Sequence, residues 1–320
     1  MSDSSKQPVR FVSVLAEEAG QRLDNFLLRH AGDVPKTRLY RAIRKGEVRV
    51  NKGRSKADYR VKADDSVRVP PLTVVSRELS KQPSAAWEKR ILGAIMYDDS
   101  ELLVINKPTG LAVHGGSGVR LGLIESLRSL LPDERYLELV HRLDRETSGC
   151  LLVARRPSAL RRLHQQLRDQ DKGLQKRYLA LVAGKWPQYL VDVEAPLEKF
   201  ERGGERIVQV TERGKPSHTR IRPLEVLDGC TLVEAEPVTG RTHQIRVHAS
   251  YYKHAVLGDT KYQHDDSRDQ WRQRGINGLC LHSRSIGFQA ATGHQVTVVA
   301  PIPNPMHRFL VDAGCDPDIY

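Results

Sequence analysis

A chain of 320 residues with 39% hydrophobic and 28% charged side chains is long enough for two domains and has the composition of a globular protein rather than a disordered one. Its sequence contains no apolar run long enough to cross a membrane, and its first residues lack the apolar segment of a signal peptide. The four cysteines lie far apart, which excludes a C-x-x-C metal or redox site and favours buried free thiols. We therefore expect a cytoplasmic protein in which residues 1–19 form a disordered lead-in.

Positive charge is concentrated near the N-terminus. The formal net charge of the chain is +12, and the segment from Gly20 to Pro71 holds fourteen Lys and Arg against six Asp and Glu, a local net charge of +8. A positive net charge of this size indicates which partners a protein binds rather than which fold it has, and nucleic acid is the first partner to consider. The distribution therefore indicates a nucleic-acid-binding module at the start of the chain.

Residues 20–75 have the pattern of a small independent module. Residues 21–31 place apolar side chains at helical spacing, and a second helix opens at Pro35, since proline is well tolerated in a first turn. Short alternating segments at 47–54 and 66–69 predict a small sheet. The basic side chains fall on one face of the second helix and in the turn that follows: Arg38, Arg41, Arg44, Lys45, Lys52 and Arg54. Such a face is typical of RNA-backbone contact, and an ordinary solvated helix face is the alternative.

The remainder of the chain predicts a linker and a second domain. Residues 76–90 are polar, contain serine and proline and show little periodicity, as linkers do. Residues 91–320 alternate strand-like runs (102–106, 139–141, 150–154, 178–184, 231–237 and 295–301) with helical patterns (120–131, 158–169 and 242–252). No βαβ unit recurs at a fixed spacing, so we expect an α+β fold around a mixed, mainly antiparallel sheet. The polar stretch 264–277 is interpreted as a flexible insert that contacts RNA.

A polar segment with the sequence VHRLDRETSG, residues 140–149, comes directly before the apolar run at 150–154. It is therefore a loop leading into a strand, a common place for functional side chains. Considered alone, Asp144 in this loop is at least as well explained as a turn residue that accepts hydrogen bonds from the backbone N–H of Thr147 or Ser148. The loop becomes more informative when other segments are considered with it.

Three further motifs accompany this loop in the chain. They are INKPTG (105–110) with HGG (114–116), KRY (176–178), and GRTHQIRVH (240–248) followed by Gly258, Asp259 and Tyr262. In this order, the set resembles the RluA-type pseudouridine synthases over nearly the whole of residues 91–303, and residues 20–75 resemble an S4 RNA-binding domain. The resemblance implies a pseudouridine synthase catalytic domain behind an S4-like RNA-binding module. It also implies an isomerase that converts specific uridines of 23S ribosomal RNA, or of the large-subunit precursor, into pseudouridine.

The resemblance supplies roles for individual residues. Asp144 matches the catalytic aspartate, and Tyr178 matches the tyrosine that packs on the target base and serves in proton transfer. Arg246 matches the arginine that pairs with this aspartate, and Arg142 the side chain that fills the gap left by the flipped base. The pairing is chemically reasonable because a guanidinium favours the ionised form of a neighbouring carboxylic acid in a dry pocket. Isomerisation neither oxidises nor hydrolyses the uridine, so we expect no cofactor and no metal.

Other charged and aromatic candidates are weaker. Lys107 and Arg241 are candidates for RNA-phosphate contacts, with ordinary surface ion pairing as the alternative. His243 and His248 are five residues apart on a predicted helix, so they do not share a face as two zinc ligands would. We expect the histidines to have structural or RNA-contacting roles rather than to bind a metal.

Two other classes of function stay open from the sequence. One is a non-catalytic S4-type protein that binds ribosomal RNA or assists ribosome assembly. The other is a base-excising glycosylase, which needs a positioned water and usually a second carboxylate; Glu146 is the nearest candidate. The sequence also leaves open whether Asp144 attacks C1′ or C6, which group is the general base, and which uridines are modified. We expect a monomer, because the basic surface suits RNA.

Overall fold

The computed structural model describes residues 4–6, 8–31, 34, 36–75, 84–115, 121–134, 136–169, 173–202, 205–263 and 265–320. The chain divides into two compact units. The first consists of Met1–Ala85 with Arg156–Ser158, and the second of Ala86–Arg155 with Ala159–Tyr320. Most of the expected linker, residues 76–83, lies outside the described residues, and a helix begins at Ala85 within its last part.

The first unit is a small α+β module. Its strands are β1 (Ser4–Lys6), β2 (Arg10–Ser13), β3 (Arg49–Val50), β4 (Ser66–Val69) and β5 (Thr73–Val75), and its helices are α1 (Leu23–His30) and α2 (Lys36–Arg44). Strands β2, β4 and β3 form an antiparallel sheet in that order, and β1 pairs with β5. The predicted apolar stripes of the two helices pack with the sheet, since the core includes Leu23, Phe26, Leu27, Leu39, Ala42, Ile43 and Val67.

The N-terminal segment corrects one expectation. Residues 1–19 were expected to be a disordered lead-in, but β2 forms a full antiparallel pairing with β4, with Val12 opposite Val67. Val14 then enters the core of the module and is almost completely buried. The expectation was wrong for this part of the segment because a four-residue strand carries too little periodicity to be recognised, and its backbone hydrogen bonds to β4 order it. Residues 1–3 and residue 7 lie outside the described residues.

The second unit is built on one large sheet. Its strands are β6 (Ile95–Asp98), β7 (Leu102–Lys107), β8 (Glu138–Leu139), β9 (Ser148–Ala154), β10 (Gln175–Ala183), β11 (Asp192–Glu194), β14 (His218–Leu227), β15 (Cys230–Pro237), β16 (Leu281–Gln289) and β17 (Gln295–Val299), with β12 (Leu197–Arg202) and β13 (Glu205–Val210) as a separate hairpin. The sheet order is β11-β14-β15-β10-β16-β9-β7-β6, with β17 beside β16 and β8 beside β9. Among the described strand pairs only β9 with β16 is parallel, so the expected mixed, mainly antiparallel sheet is confirmed.

Helices cover this sheet, and its central strands are buried on both faces. The helices are α3 (Ala85–Leu92), α4 (Leu123–Leu130), α5 (Pro157–Arg168), α6 (Gln244–Tyr251), α7 (Asp265–Gln273) and α8 (Asn304–Asp312). Along β9, Leu151 and Val153 enter one apolar cluster, whereas Cys150 and Leu152 enter another. This two-sided burial explains why β9 reads as a continuous apolar run instead of an alternating one. None of the helices in the described ranges is long and apolar enough to cross a bilayer.

The segment 264–277 also differs from its expectation. It was interpreted as a flexible insert, but it contains the two-and-a-half-turn helix α7. Trp271 of this helix is 4% exposed and packs edge-on against Phe309 of α8, while Arg274 lies over the Trp271 ring. A single large aromatic residue anchors an otherwise polar helix, a signal too sparse for periodicity to detect. The expectation of flexibility was therefore wrong, and the expected RNA contact of this segment stays a prediction.

Candidate active site

A cavity of about 660 Å³ lies in the second unit, at the loop that joins β8 to β9. Its walls come from this loop, from β10, and from the segment 237–246 that leads into α6. The lining includes five of the residues selected from the sequence: Arg142, Asp144, Tyr178, Arg241 and Arg246. A cavity of this size is in the range that holds a nucleotide-sized ligand, roughly 300–1,000 Å³.

The side chain of Asp144 faces this cavity rather than closing the turn. The turn is made by the backbone alone, with the N–H of Thr147 donating to the carbonyl of Asp144 at 3.2 Å. The carboxylate oxygen Oδ2 instead accepts a hydrogen bond from Arg246 Nη1 at 3.3 Å. Just after the loop, Gly149 has a φ of 102°, and a Cβ there would lie 2.2 Å from the carbonyl oxygen of Ser283. Glycine therefore permits the close approach of β9 to β16 that fixes the end of the loop.

Arg246 is itself held in place by a second carboxylate. Its Nε and Nη2 each donate to Asp259 at 2.7 Å, a bidentate ion pair whose two side chains are almost completely buried. Asp259 is oriented in turn by the backbone N–H groups of Lys261 and Tyr262, which donate to Oδ1 at 2.9 and 3.2 Å. Burial opposes the charge of Arg246, but the hydrogen bonds that it donates to Asp259 and the charge of that carboxylate outweigh burial and hold the pKa of the guanidinium above its usual value. A permanent, oriented cation therefore stands beside Asp144.

His243 and Tyr262 complete the surroundings of Asp144. His243 Nε2 lies 3.8 Å from Asp144 Oδ2, and its Nδ1 lies 2.7 Å from the hydroxyl of Tyr262. The guanidinium carbon of Arg246 lies 5.1 Å from the centre of the Tyr262 ring. Sequence reasoning assigned no role to His243, Asp259 or Tyr262 in holding the aspartate. The only available signal was their presence in the same motifs as Arg246.

Tyr178 enters the same cavity from β10. The register of β10 with β16 shifts between Arg177 and Tyr178, and such a bulge changes the direction of the side chain that follows. Tyr178 is 7% exposed, and burial, with a further contribution from the charge of Asp144, raises the pKa of its phenol above the usual value. The hydroxyl is therefore protonated at neutral pH, and the residue lines the cavity.

Lys107 does not lie where the sequence interpretation placed it. The side chain is completely buried, and its ammonium donates to the backbone carbonyls of Pro108, Leu111 and Arg145 at 2.9, 2.9 and 3.0 Å. Burial lowers its pKa to about 7, against the opposing charges of Glu146 and Asp144. The expectation of a phosphate contact was wrong, because all three protons of the ammonium are already used inside the protein. Lys107 instead ties the 108–111 loop to the loop that carries Asp144.

Replacing Lys107 with methionine keeps the length of the side chain and removes its three donors. The buried carbonyl of Leu111 and the partly buried carbonyls of Pro108 and Arg145 then lose these hydrogen bonds. Relief from the cost of burying the ammonium offsets part of this loss, so the free energy of unfolding should fall by about 1–3 kcal/mol. Urea unfolding followed by tryptophan fluorescence measures this loss. The same substitution at the exposed Lys185 should change little. A Lys107→Met protein with the stability of the wild type would contradict the anchoring role.

The remaining basic candidates lie on the surface. Arg142 and Arg241 are exposed at the cavity, and Arg241 Nε also donates to the carbonyl of Pro216 at 3.1 Å. In the first unit, five of the six basic residues selected from the sequence are exposed: Arg41, Arg44, Lys45, Lys52 and Arg54. Arg38 is half-buried and pairs with Glu47 at 2.8 Å. Its charge is therefore partly neutralised within the module.

Buried histidines serve the structure around the cavity. His248 contacts the hydroxyls of Ser217 and Thr219 at 2.9 Å each, and His282 contacts the hydroxyl of Ser148 at 2.9 Å. Burial lowers the pKa of both imidazoles below the usual value. In the part of the chain that the structure describes, no group of three His, Cys, Asp or Glu side chains is arranged to hold a metal ion.

Comparisons with known proteins agree with this site and fold. A family model described as RNA pseudouridylate synthase matches residues 101–251, and an S4 domain model matches residues 21–67. The chain is 51% identical over 313 residues to ribosomal large subunit pseudouridine synthase C of Pasteurella multocida, covering 95% of this chain and 94% of the relative. The protein of the same name from Escherichia coli K12 is 48% identical over 307 residues, covering 94% and 96%.

Two solved human structures share the fold. RNA Pseudouridylate Synthase Domain Containing 4 aligns with a TM-score of 0.58 and 25% identity, covering 72% of this chain and 96% of that one. RNA Pseudouridylate Synthase Domain Containing 1 aligns with a TM-score of 0.53 and 28% identity, covering 66% and 83%. The fold, the site and these likenesses define the class of protein.

The chain belongs to the RNA pseudouridylate synthase family, and its catalytic domain follows an S4 domain. It is an isomerase of RNA, as the resemblance of its motifs predicted. The sequence of residues 34–51, VPKTRLYRAIRKGEVRVN, also resembles that of ribosomal large subunit pseudouridine synthase C in particular. This closer resemblance is confirmed, since relatives of that name match nearly the whole chain.

Proposed function

We propose that this protein converts specific uridines of the large-subunit 23S ribosomal RNA into pseudouridine, with Asp144 as the nucleophile. The observation that carries the proposal is a carboxylate facing a nucleotide-sized cavity, 3.3 Å from an arginine that a buried second carboxylate holds in place. The relatives named for this reaction and substrate support it. The proposal includes action as a monomer in the cytoplasm, on ribosomal RNA or its precursor particle.

The chemistry asks little of the protein beyond one nucleophile and acid–base groups. The N1–C1′ bond of the uridine breaks, the uracil turns, and a C5–C1′ bond forms while C5 loses a proton and N1 gains one. The electrons balance within the nucleoside, so the proposal includes no oxidant, no hydrolytic water and no cofactor. Asp144 forms and later releases a covalent bond to either C1′ or C6, and Arg246 orients its carboxylate for this attack.

The target uridine must first leave its stack in the RNA, at a cost on the order of a few kcal/mol. In this proposal, Tyr178 recovers part of the cost by stacking on the uracil, and Arg142 by filling the gap in the RNA. The burial of Tyr178 and the exposure of Arg142 suit these roles, because a ring inside the cavity can stack on a base and an exposed guanidinium at the cavity can reach the surrounding RNA. The protonated phenol is also placed to take part in proton transfer.

The S4 module is proposed to contact the RNA backbone through α2 and the turn after β3. The Arg41→Ala/Arg44→Ala protein should then bind the RNA more weakly, and its slope of log affinity against log salt should become shallower by about two, the value for two lost phosphate contacts. Titrations at several salt concentrations measure this slope. Lys56→Ala/Lys62→Ala removes the same charge from exposed positions elsewhere in the module. Equal effects of the two double variants would argue against a specific RNA-binding face.

The test of the proposed function uses large-subunit ribosomal RNA transcribed with uridine tritiated at C5. Incubation with the purified protein should release tritium, and carbodiimide-blocked primer extension should locate new pseudouridines at a small set of positions. Binding of the RNA without tritium release would support the non-catalytic S4-type factor instead. Release of free uracil would support a glycosylase.

A further inference from the structure

His243 occupies an unusual place at the cavity. It precedes the first residue of α6 and has a φ of 55° and a ψ of 19°, a left-handed conformation that is uncommon for residues other than glycine, although histidine adopts it more often than most. Its side chain is 14% exposed and lines the cavity with Asp144 and Arg246. A strained backbone of this kind persists only where the surrounding contacts enforce it, and it occurs preferentially at functional sites.

The contacts of Tyr262 favour one tautomer of His243. The hydroxyl oxygen of Tyr262 accepts a hydrogen bond from the backbone N–H of Val208 at 3.1 Å. His243 Nδ1 lies 2.7 Å from this hydroxyl and can accept its proton. A neutral imidazole that accepts at Nδ1 carries its proton on Nε2, the nitrogen that faces Asp144.

The two donors beside Asp144 approach the same carboxylate oxygen. Arg246 Nη1 lies 3.3 Å from Oδ2, and His243 Nε2 lies 3.8 Å from it. The second distance exceeds that of a direct hydrogen bond, as is common in an active site without substrate, where such contacts shorten when the complex forms. Both donors approach Oδ2, and the described residues place no hydrogen-bond donor on Oδ1, the oxygen that is then placed to attack.

We infer that His243 is a positioning residue for the nucleophile: with its proton fixed on Nε2 by Tyr262, it works with Arg246 to hold Asp144 by Oδ2 and to present Oδ1 to the uridine. This inference rests on the proposed role of Asp144. It goes further by assigning a task to a histidine, a tautomer to its ring and the attack to one carboxylate oxygen.

The charges around His243 favour its neutral form. Burial lowers its pKa below the usual 6.5, and the positive charges of Arg246 and Lys261 act in the same direction, against the opposing charges of Asp144 and Asp259. The imidazole is therefore a neutral donor at pH 7. Its contribution to the rate should not decline as the pH rises from about 6.5 to 8, whereas the contribution of a charged imidazole would decline.

Two substitutions distinguish the effect of the Nε2 donor on the rate from the effect of the left-handed backbone conformation at position 243. In His243→Gln the side-chain amide nitrogen can reach the place of Nε2, whereas in His243→Asn it reaches only the place of Nδ1. Asparagine, however, tolerates the left-handed conformation better than glutamine does. If the donor matters, kcat should follow the order wild type, Gln, then Asn and Ala. The Ala variant should lose about tenfold to a hundredfold in kcat, the effect of one hydrogen bond to a charged group, with an unchanged KM for the RNA.

Further variants make the outcomes distinct. Tyr262→Phe should lower kcat when His243 is present and add nothing in the His243→Ala background, because its effect passes through the imidazole. His294→Ala, at an exposed position in the β16–β17 turn, is the matched control and should behave as the wild type. A kcat that is higher in the Asn variant than in the Gln variant, additive losses in the double variant, or a His-dependent rate that falls with rising pH would overturn the inference.

Asp144→Asn is assayed in parallel to keep the inference distinct from the proposed function. Activity in that variant would refute the proposed function, whereas full activity in His243→Ala alone would refute only the role of the histidine.

Discussion

Asp144→Asn is expected to form no detectable pseudouridine, with a loss of at least about four orders of magnitude in the single-turnover rate. The amide matches the carboxylate in size and can still occupy the space beside Arg246, so the cavity should persist. It is not a nucleophile at neutral pH, so no covalent bond to the uridine forms. Tritium release from the RNA measures the rate, and a separate binding assay should show that the RNA still binds.

Glu146→Gln is the matched control for this prediction. Glu146 lies in the same loop, is half exposed, and contacts Arg145 at 3.3 Å. Its replacement removes one negative charge two residues from Asp144 and leaves the proposed nucleophile intact, so the rate should stay close to that of the wild type. If Glu146→Gln were as inactive as Asp144→Asn, the loop would contain two essential carboxylates. That result would favour the acid–base pair of a glycosylase over a single nucleophile.

The sequence predicted the parts of the site that motifs carry. Asp144, Tyr178 and Arg246 were selected from three separate segments, and the fold brings them to one cavity although Asp144 and Arg246 are 102 residues apart. The class of fold could also be predicted, because α1, α2 and strands such as β9 and β15 have strong periodicity or uninterrupted apolar runs. These features depend on local sequence and on resemblance, not on distances between side chains.

Other features depend on three-dimensional contacts that no local pattern encodes. The burial of Lys107 follows from the meeting of two loops around its ammonium, and a lysine in a polar motif looks the same whether it binds phosphate or carbonyl groups. The left-handed backbone of His243 could not be predicted from the sequence, because most histidines still have a negative φ. The ion pair between Asp259 and Arg246 forms only because the segment after α6 folds back over the helix. Each of these residues was visible in the motifs, but its partner was not.

Replacement of Arg246 is expected to have the second largest effect on activity. Three nitrogens of its guanidinium are in use, two on Asp259 and one on Asp144, and a lysine ammonium cannot match this planar, bidentate arrangement. Arg246→Lys should therefore lower kcat by about a hundredfold to a thousandfold, the usual effect of losing one directed donor to a reacting group. Arg246→Ala should also be destabilised by about 3–5 kcal/mol, because it leaves the buried Asp259 carboxylate without its partner. Single-turnover rates and urea unfolding measure the two effects separately.

The lysine variant decides between two explanations of this arginine. It keeps a positive charge beside both carboxylates, so the fold should survive and any loss of rate reports on the geometry of the donors. Arg222→Lys is the matched control, since Arg222 is 65% exposed in its side chain and pairs only with Glu234 among its described ion pairs. If Arg246→Lys were nearly as active as the wild type, a positive charge without the planar geometry of the guanidinium would suffice beside Asp144. A large loss with an intact fold would instead mean that Asp259, by fixing the plane of the guanidinium, determines the orientation from which Asp144 attacks.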